Sequence, residues 1–419
     1  MKKYLLYCLL VYPFAAAYAA DAMQTLSFYK QQTDALVTVS NRDDRAYANA
    51  LADGLDTWVA QYADNVNVPQ AMATEARLYL LAQERARALI TLLSLSKNYP
   101  QTDLAPYQSM VTDALQAVNE PYRTSVAAKA FTTTLSEKAT AADRKAAVLF
   151  TLSKLQGRTL YAPSAAAFEQ FFRQYPAYEK NDQVELWYGD LHRMNNNYLA
   201  AISQYQKATS LYPNTPYRAA SLRLIGDIYA DNLKDTPHAM AMYTQVLRDY
   251  PNSNETGIVY KHMAILEENN KNYDNALINY DKAIAVLGTS DNAYEAYRGK
   301  ADVYKKTKNY NAAYNALLKT AQAFSKNEEK YTESLWDAAT LAQKKLKDQN
   351  KYTQALERAL VTYPKNPKSA EIMYNLALTY EQQNRKVQAQ EMYKKLILSF
   401  PSDKYANKAQ GRLKKLETK

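Results

Sequence analysis

DQVELWYGDLHRMNNNYLAAISQYQKATSLYPNT, residues 182–215, is the stretch on which the fold reading turns. It reads as two amphipathic helices joined by the polar turn Asn195-Asn196-Asn197. Apolar side chains return every three to four residues on either side of three turn-forming asparagines. With Asp182 as position 1, Gly189 falls at position 8, Ala201 at 20, Tyr205 at 24, Ala208 at 27 and Pro213 at 32. Positions 24 and 27 share one helical face, and the proline ends the second helix.

The same set recurs down the chain. Residues 219–252 carry Leu222, Gly226 and Tyr229, then Ala239, Tyr243 and Pro251 one residue late, so the turn is one residue longer. Residues 257–291 bring Tyr260, Ala264, Ala276, Tyr280 and Ala283; residues 294–327 bring Tyr297, Ala301, Tyr304, Ala313 and Leu317. Residues 328–332 then read as a short insertion. Residues 333–366 hold Trp336, Ala339, Ala359 and Pro364, with Tyr352 at position 20, and 370–403 hold Leu376, Ala377, Tyr380, Ala389, Tyr393 and Pro401. Residues 145–178 form a weaker unit with Phe168, Phe171 and Pro176 but Leu152 at the small position.

Repetition at this period with these residues resembles the tetratricopeptide repeat (TPR) family. The resemblance implies an all-α chain, a right-handed α-solenoid of helix-turn-helix repeats with an N-terminal helical region. In that family positions 8 and 20 sit where the two helices of a repeat cross, and 24 and 27 fill the space against the next repeat. The expected domains are a signal peptide over 1–19, degenerate helical hairpins over 20–144, the array over 145–404 and a capping helix over 405–419. The endings FRQYP, LRDYPNS, LVTYPKNPKSA and LILSFPSDKYANKAQGRLKKLE further resemble bacterial envelope TPR proteins of outer-membrane assembly and the Tol–Pal system. That likeness implies a periplasmic adaptor that binds protein or peptide partners of the cell envelope.

Composition agrees with an all-helical chain: 419 residues contain only 8 Gly and 14 Pro, too few turn formers for many hairpins. Tyr outnumbers Phe 37 to 9. We read this as thin helical walls that bury the ring and keep the hydroxyl at a wet edge. Lys2-Lys3, the apolar run after Tyr4, Pro13 and Ala17-Tyr18-Ala19 make a cleavable leader, so the mature chain is expected to begin at Ala20 in the periplasm. The leader also carries Cys8, the single cysteine. The charge is +10, and residues 344–419 contain 17 Lys/Arg against 7 Asp/Glu. A basic end suits an anionic envelope polymer, or is a solvated helix face; the export address argues against nucleic acid.

The residue inventory points away from catalysis. His192, His238 and His262 are scattered, and no thiol remains once the leader is gone. No Gly-rich phosphate loop or nucleophile motif is present, and Glu267-Glu268 and Glu328-Glu329 read as solvated carboxylates. We therefore expect no enzyme, cofactor or metal, and no membrane span. An exported binding scaffold is the main reading. A peptidoglycan- or polysaccharide-associated structural protein is the alternative.

In the family, positions 2, 5, 9 and 12 of the first helix line a peptide-binding groove. Carried onto this sequence, position 5 holds Leu186, Arg223, Lys261, Arg298, Asp337 and Tyr374. Position 9 holds Asp190, Asp227, Ile265, Asp302, Leu341 and Leu378. Three consecutive cations suggest a carboxylate-gripping ladder. Arg223–Asp227 and Arg298–Asp302 are spaced to pair within one helix, which leaves Lys261 as the freest charge.

Overall fold

The computed structural model describes residues 22–36, 42–63, 65–118 and 121–417. The leader and its cleavage pattern lie outside them. The described residues form 21 α-helices and no strand, so the expected all-α class holds. They fall into two compact units, one up to Ile228 and one from Tyr229 onward.

Within the first unit, the index stretch folds as read. Helices Asn181–Met194 and Tyr198–Leu211 flank a turn whose Asn196 takes φ 63°. The turn closes when the Asn197 amide donates to the His192 carbonyl at 2.9 Å, a bond that satisfies an orphan carbonyl at the helix end. The crossing is as tight as expected. A Cβ on Gly189 would run into the Tyr205 ring. Gly189→Leu is therefore expected to cost roughly 1–3 kcal/mol by overpacking. Its damage should stay within helices that touch residues 181–211, because an array couples neighbours only. Hydrogen exchange resolved by segment checks this.

The region before residue 144 holds more order than its composition suggested. Within the stretch expected to hold degenerate helical hairpins, residues 68–98 form the helix pair Val68–Leu81 and Arg85–Asn98. Gln83 takes φ 66°, and the Glu84 amide reaches the Tyr79 carbonyl at 2.7 Å. This is the same turn as in the index repeat. Counted back from that turn, Ala76, Ala88 and Pro100 occupy positions 8, 20 and 32. The repeat register of this hairpin was hidden because Ala82-Gln83-Glu84 are ordinary helix formers. In the weak unit, helix Ala141–Leu152 ends early and the next begins at Tyr161. Leu152 therefore closes a helix instead of standing at a crossing.

In the second unit the turns repeat with one variation. Asn272, Asn309 and Arg385 each donate to the carbonyl five residues back, Glu267, Tyr304 and Tyr380, at 2.8 Å. Asp235 and Asp348 instead reach six residues back, to Tyr229 at 2.8 Å and Ala342 at 3.1 Å. In both cases a short π-turn, Ile228–Asn232 or Ala342–Leu346, absorbs the extra residue. The longer turn at 219–252 was legible. The one before residue 349 was not, and it shifts the preceding helix by one position. Ala339 therefore takes the small position and Trp336, not Asp337, takes position 5. The chain ends in helix Lys404–Glu417, with Ala406, Ala409 and Leu416 buried.

The tyrosines have a more specific use than a wet edge. Tyr205, Tyr280 and Tyr393, all at position 24, are fully buried. Their hydroxyls donate to Asp190 at 2.8 Å, Glu268 at 2.8 Å and Glu381 at 3.2 Å on the first helix of the same repeat. The carboxylate then meets a cation: Lys306 lies 2.8 Å from Glu268 and Arg412 lies 3.4 Å from Glu381. Phenylalanine would fill the same space but remove one hydrogen bond to a charged acceptor, which costs about 1.5–3 kcal/mol.

Candidate binding surface on the first helices

The candidate residues sit on first helices, as the repeat frame requires, but most are engaged within the chain. In the first unit Asp190 is almost fully buried. It accepts from Tyr205, and it pairs with Lys154 at 3.0 Å and Arg193 at 3.4 Å. Arg223 pairs with Asp227 one turn along its own helix, as the spacing predicted. At position 2 of the following repeat the sequence offers Ile258, not a carboxylate.

The second unit corrects the expectation for Lys261. Its side chain is only 7% exposed, and its Nζ donates to Glu295 at 2.5 Å and Asn292 at 2.7 Å. Arg298 does not pair with Asp302. It lies 2.8 Å from Asp337 and 3.6 Å from Glu333, and it touches the Tyr294 hydroxyl at 3.2 Å. In both repeats the cation at position 5 turns to the first helix of the next repeat: Lys261 to Glu295 at position 2, and Arg298 to Glu333 at position 2 and, more closely, Asp337 at position 6. Asp302 instead pairs with Lys305 at 2.9 Å. Tyr374 packs its ring 5.4 Å from Tyr405 and 6.1 Å from Tyr393, part of the seam with the last helix.

The cations at position 5 turn toward the neighbouring repeat, while the Glu295 side chain is 64% exposed and Asp302 51%. Ile265, at position 9 between them, is 40% exposed. Positions 2, 5, 9 and 12 share one helical face. From helix Thr256–Asn269 through Asp291–Lys306 that face offers the exposed Glu295, Asp302 and Ile265, with Lys305 at position 12 paired to Asp302.

The remaining candidate groups are structural. His192 lies against Tyr188, ring centres 4.5 Å apart, and its Nδ1 meets the Tyr161 hydroxyl at 2.9 Å. Burial lowers its pKa below the usual histidine value. His238 pairs with Asp235 at 2.7 Å, and the His262 ring lies 6.0 Å from Tyr243. Glu268 is buried, unlike the solvated carboxylate the sequence suggested. Among the described residues no cluster of His, Cys, Asp or Glu is arranged to hold a metal ion, and no helix is long and apolar enough to cross a membrane.

Comparison with known proteins agrees with the repeat geometry. Residues 220–253 and 371–403 match the family model described as tetratricopeptide repeat. No curated protein matches the chain. Solved structures similar to it include a tetratricopeptide repeat protein from Parabacteroides merdae, at 18% identity over 62% of this chain and 93% of that one, TM-score 0.34. The C-terminal part of a TPR repeat-containing protein from Cytophaga hutchinsonii is 16% identical over 64% of this chain and 98% of that one, TM-score 0.43. PilF of Pseudomonas aeruginosa is 14% identical over 56% of this chain and 98% of that one, TM-score 0.35. With the helix pairs and their shared turn in view, the match identifies residues 220–253 and 371–403 as tetratricopeptide repeats.

Proposed function

We propose that the chain is a non-enzymatic scaffold of the bacterial cell envelope, exported with a cleaved leader, that holds protein partners along the first-helix face of its repeats. The observation that carries the reading is the exposure of two carboxylates and an apolar side chain on that face. Its cations tie one repeat to the next, while Glu295, Asp302 and Ile265 remain exposed. Such a surface complements a partner segment that brings lysine or arginine beside an apolar side chain, the reverse of an acidic tail. Export rests on the leader sequence, and N-terminal sequencing of the secreted fraction is expected to begin at Ala20; an intact leader, or a lipid on Cys8, overturns it.

Capture from envelope extract tests the binding role. Asp302→Asn combined with Ile265→Ser changes two exposed side chains and should leave the fold intact. The double variant is expected to bind the captured partner about tenfold more weakly. Unchanged affinity would remove this face from the interaction.

A further inference from the structure

A second charged surface lies at the edge where the first helix of each repeat turns into the second. In four successive turns of the second unit the left-handed residue is a lysine: Lys234 at φ 57°, Lys271 at 64°, Lys308 at 59° and Lys347 at 55°. That position favours glycine, or asparagine, which the chain uses at Asn384. All four lysines are exposed, and among the described residues none makes an ion pair or side-chain hydrogen bond. Lys344, in the last of these turns, is also exposed. Of the carboxylates in or beside these turns, Asp235 and Asp348 point back and cap their own second helices, accepting from the amides of His238 at 3.1 Å and Lys351 at 2.9 Å, while Asp231 and Asp274 are exposed and pair with none of the four lysines.

A cation near a helix C-terminus is favoured by the helix dipole, which accounts for one such lysine per turn at most. In two of the four turns that role is already filled, by Lys305-Lys306 and by Lys344-Lys345. At Lys308 and Lys347, lysine therefore stands in a conformation that disfavours it where the dipole does not require it. From Thr256 onward, successive first helices touch through Lys261–Glu295 and Arg298–Asp337. Packed helices lie about 8–10 Å apart, so the lysines there recur on that order of spacing.

We infer that this edge binds a linear anionic polysaccharide. Lysine is a hydrated point charge on a flexible stem and imposes no bidentate geometry. Tyr273 and Tyr310 stand two residues beyond Lys271 and Lys308 but are half-buried, and Thr236 and Gln349 take that place after Lys234 and Lys347, so no continuous aromatic platform of the kind single-stranded nucleic acid stacks on follows the lysines. The exposed Leu233 stands beside Lys234, but Lys271, Lys308 and Lys347 have no exposed large apolar neighbour in sequence, so the edge offers no repeated apolar contact for peptide side chains. A polymer that offers regular charge and little apolar surface matches what the edge presents. The surface differs from the first-helix face, so the two readings stand or fall separately.

The test titrates the full chain with alginate, with neutral dextran as control and poly-glutamate as the competing polymer. Replacing Lys234, Lys271, Lys308 and Lys347 by asparagine removes the charge and suits the left-handed backbone, so the variant should be at least as stable as the parent. Its alginate affinity is expected to fall tenfold or more, at about two- to fivefold per lysine at low salt, and the parent's binding should weaken with added salt. A charge-matched variant, with Lys326, Lys365, Lys395 and Lys408 changed to glutamine, should keep alginate affinity within about twofold of the parent. Equal loss in both variants would reduce the effect to net charge and overturn the edge. No alginate binding by the parent, or binding of poly-glutamate alone, would overturn the polysaccharide.

Discussion

Lys261→Glu is expected to destabilise the repeats over residues 256–323 by about 3 kcal/mol, and not merely to weaken a ligand. The parent ammonium is buried between Glu295 and Asn292. A carboxylate there would be a buried charge with no cation beside it, because the largely exposed Glu295 can only turn away to water. Lys261→Met should cost less, about 1 kcal/mol. It keeps the apolar stem, and the largely exposed Glu295 can turn to solvent. Denaturant unfolding gives the totals, and hydrogen exchange should confine the loosening to helices Thr256–Asn269 through Tyr310–Ala323. Parental stability in the glutamate variant would return Lys261 to the ligand-binding surface.

Glu75 gives the second large effect. Its side chain lies among apolar residues of the first unit at 4% exposure, with one hydrogen bond, accepted from Thr91 at 2.9 Å. Burial, and then the nearby Asp56 charge, push its pKa from an ordinary 4.5 up to about 8. Between those values the folded chain holds a proton that the unfolded chain has released. Stability must therefore fall as pH rises from about 4.5 to about 8, and stay reduced above that. A shift of this size corresponds to a loss on the order of 2–5 kcal/mol, the upper end if no water enters. Glu75→Gln keeps the shape without the ionisation. It should flatten this part of the profile and exceed the parent in stability at pH 9. Parallel profiles for the two proteins would show that Glu75 ionises freely in the fold.

These two residues also mark where sequence reading stopped. The turns at Asn195–Asn197 and the small residues at Gly189 and Ala377 were legible, because local conformation and tight packing limit which side chains fit. The repeat register of the hairpin at 68–98 was not, since its turn uses helix-forming residues and only the left-handed Gln83 marks the break. The extra residue before Asp348 was hidden for a related reason. A π-turn adds a residue without adding a glycine or a proline. The partner of Lys261 was missed because it lies one whole repeat away, at Glu295. Counting i,i+4 neighbours sees one helix at a time, whereas charges in an array also pair across repeats.

A photoreactive side chain placed at position 265 or 302, compared with one at position 398, tests the central claim most directly. Ile265 and Asp302 stand on the first-helix face, and Leu398 is exposed on a second helix. Irradiation of intact cells should yield covalent protein adducts from 265 and 302, in the exported fraction, and few from 398. Adducts from 398 alone, or none from 265 and 302, would contradict a scaffold that grips its partners along the first helices.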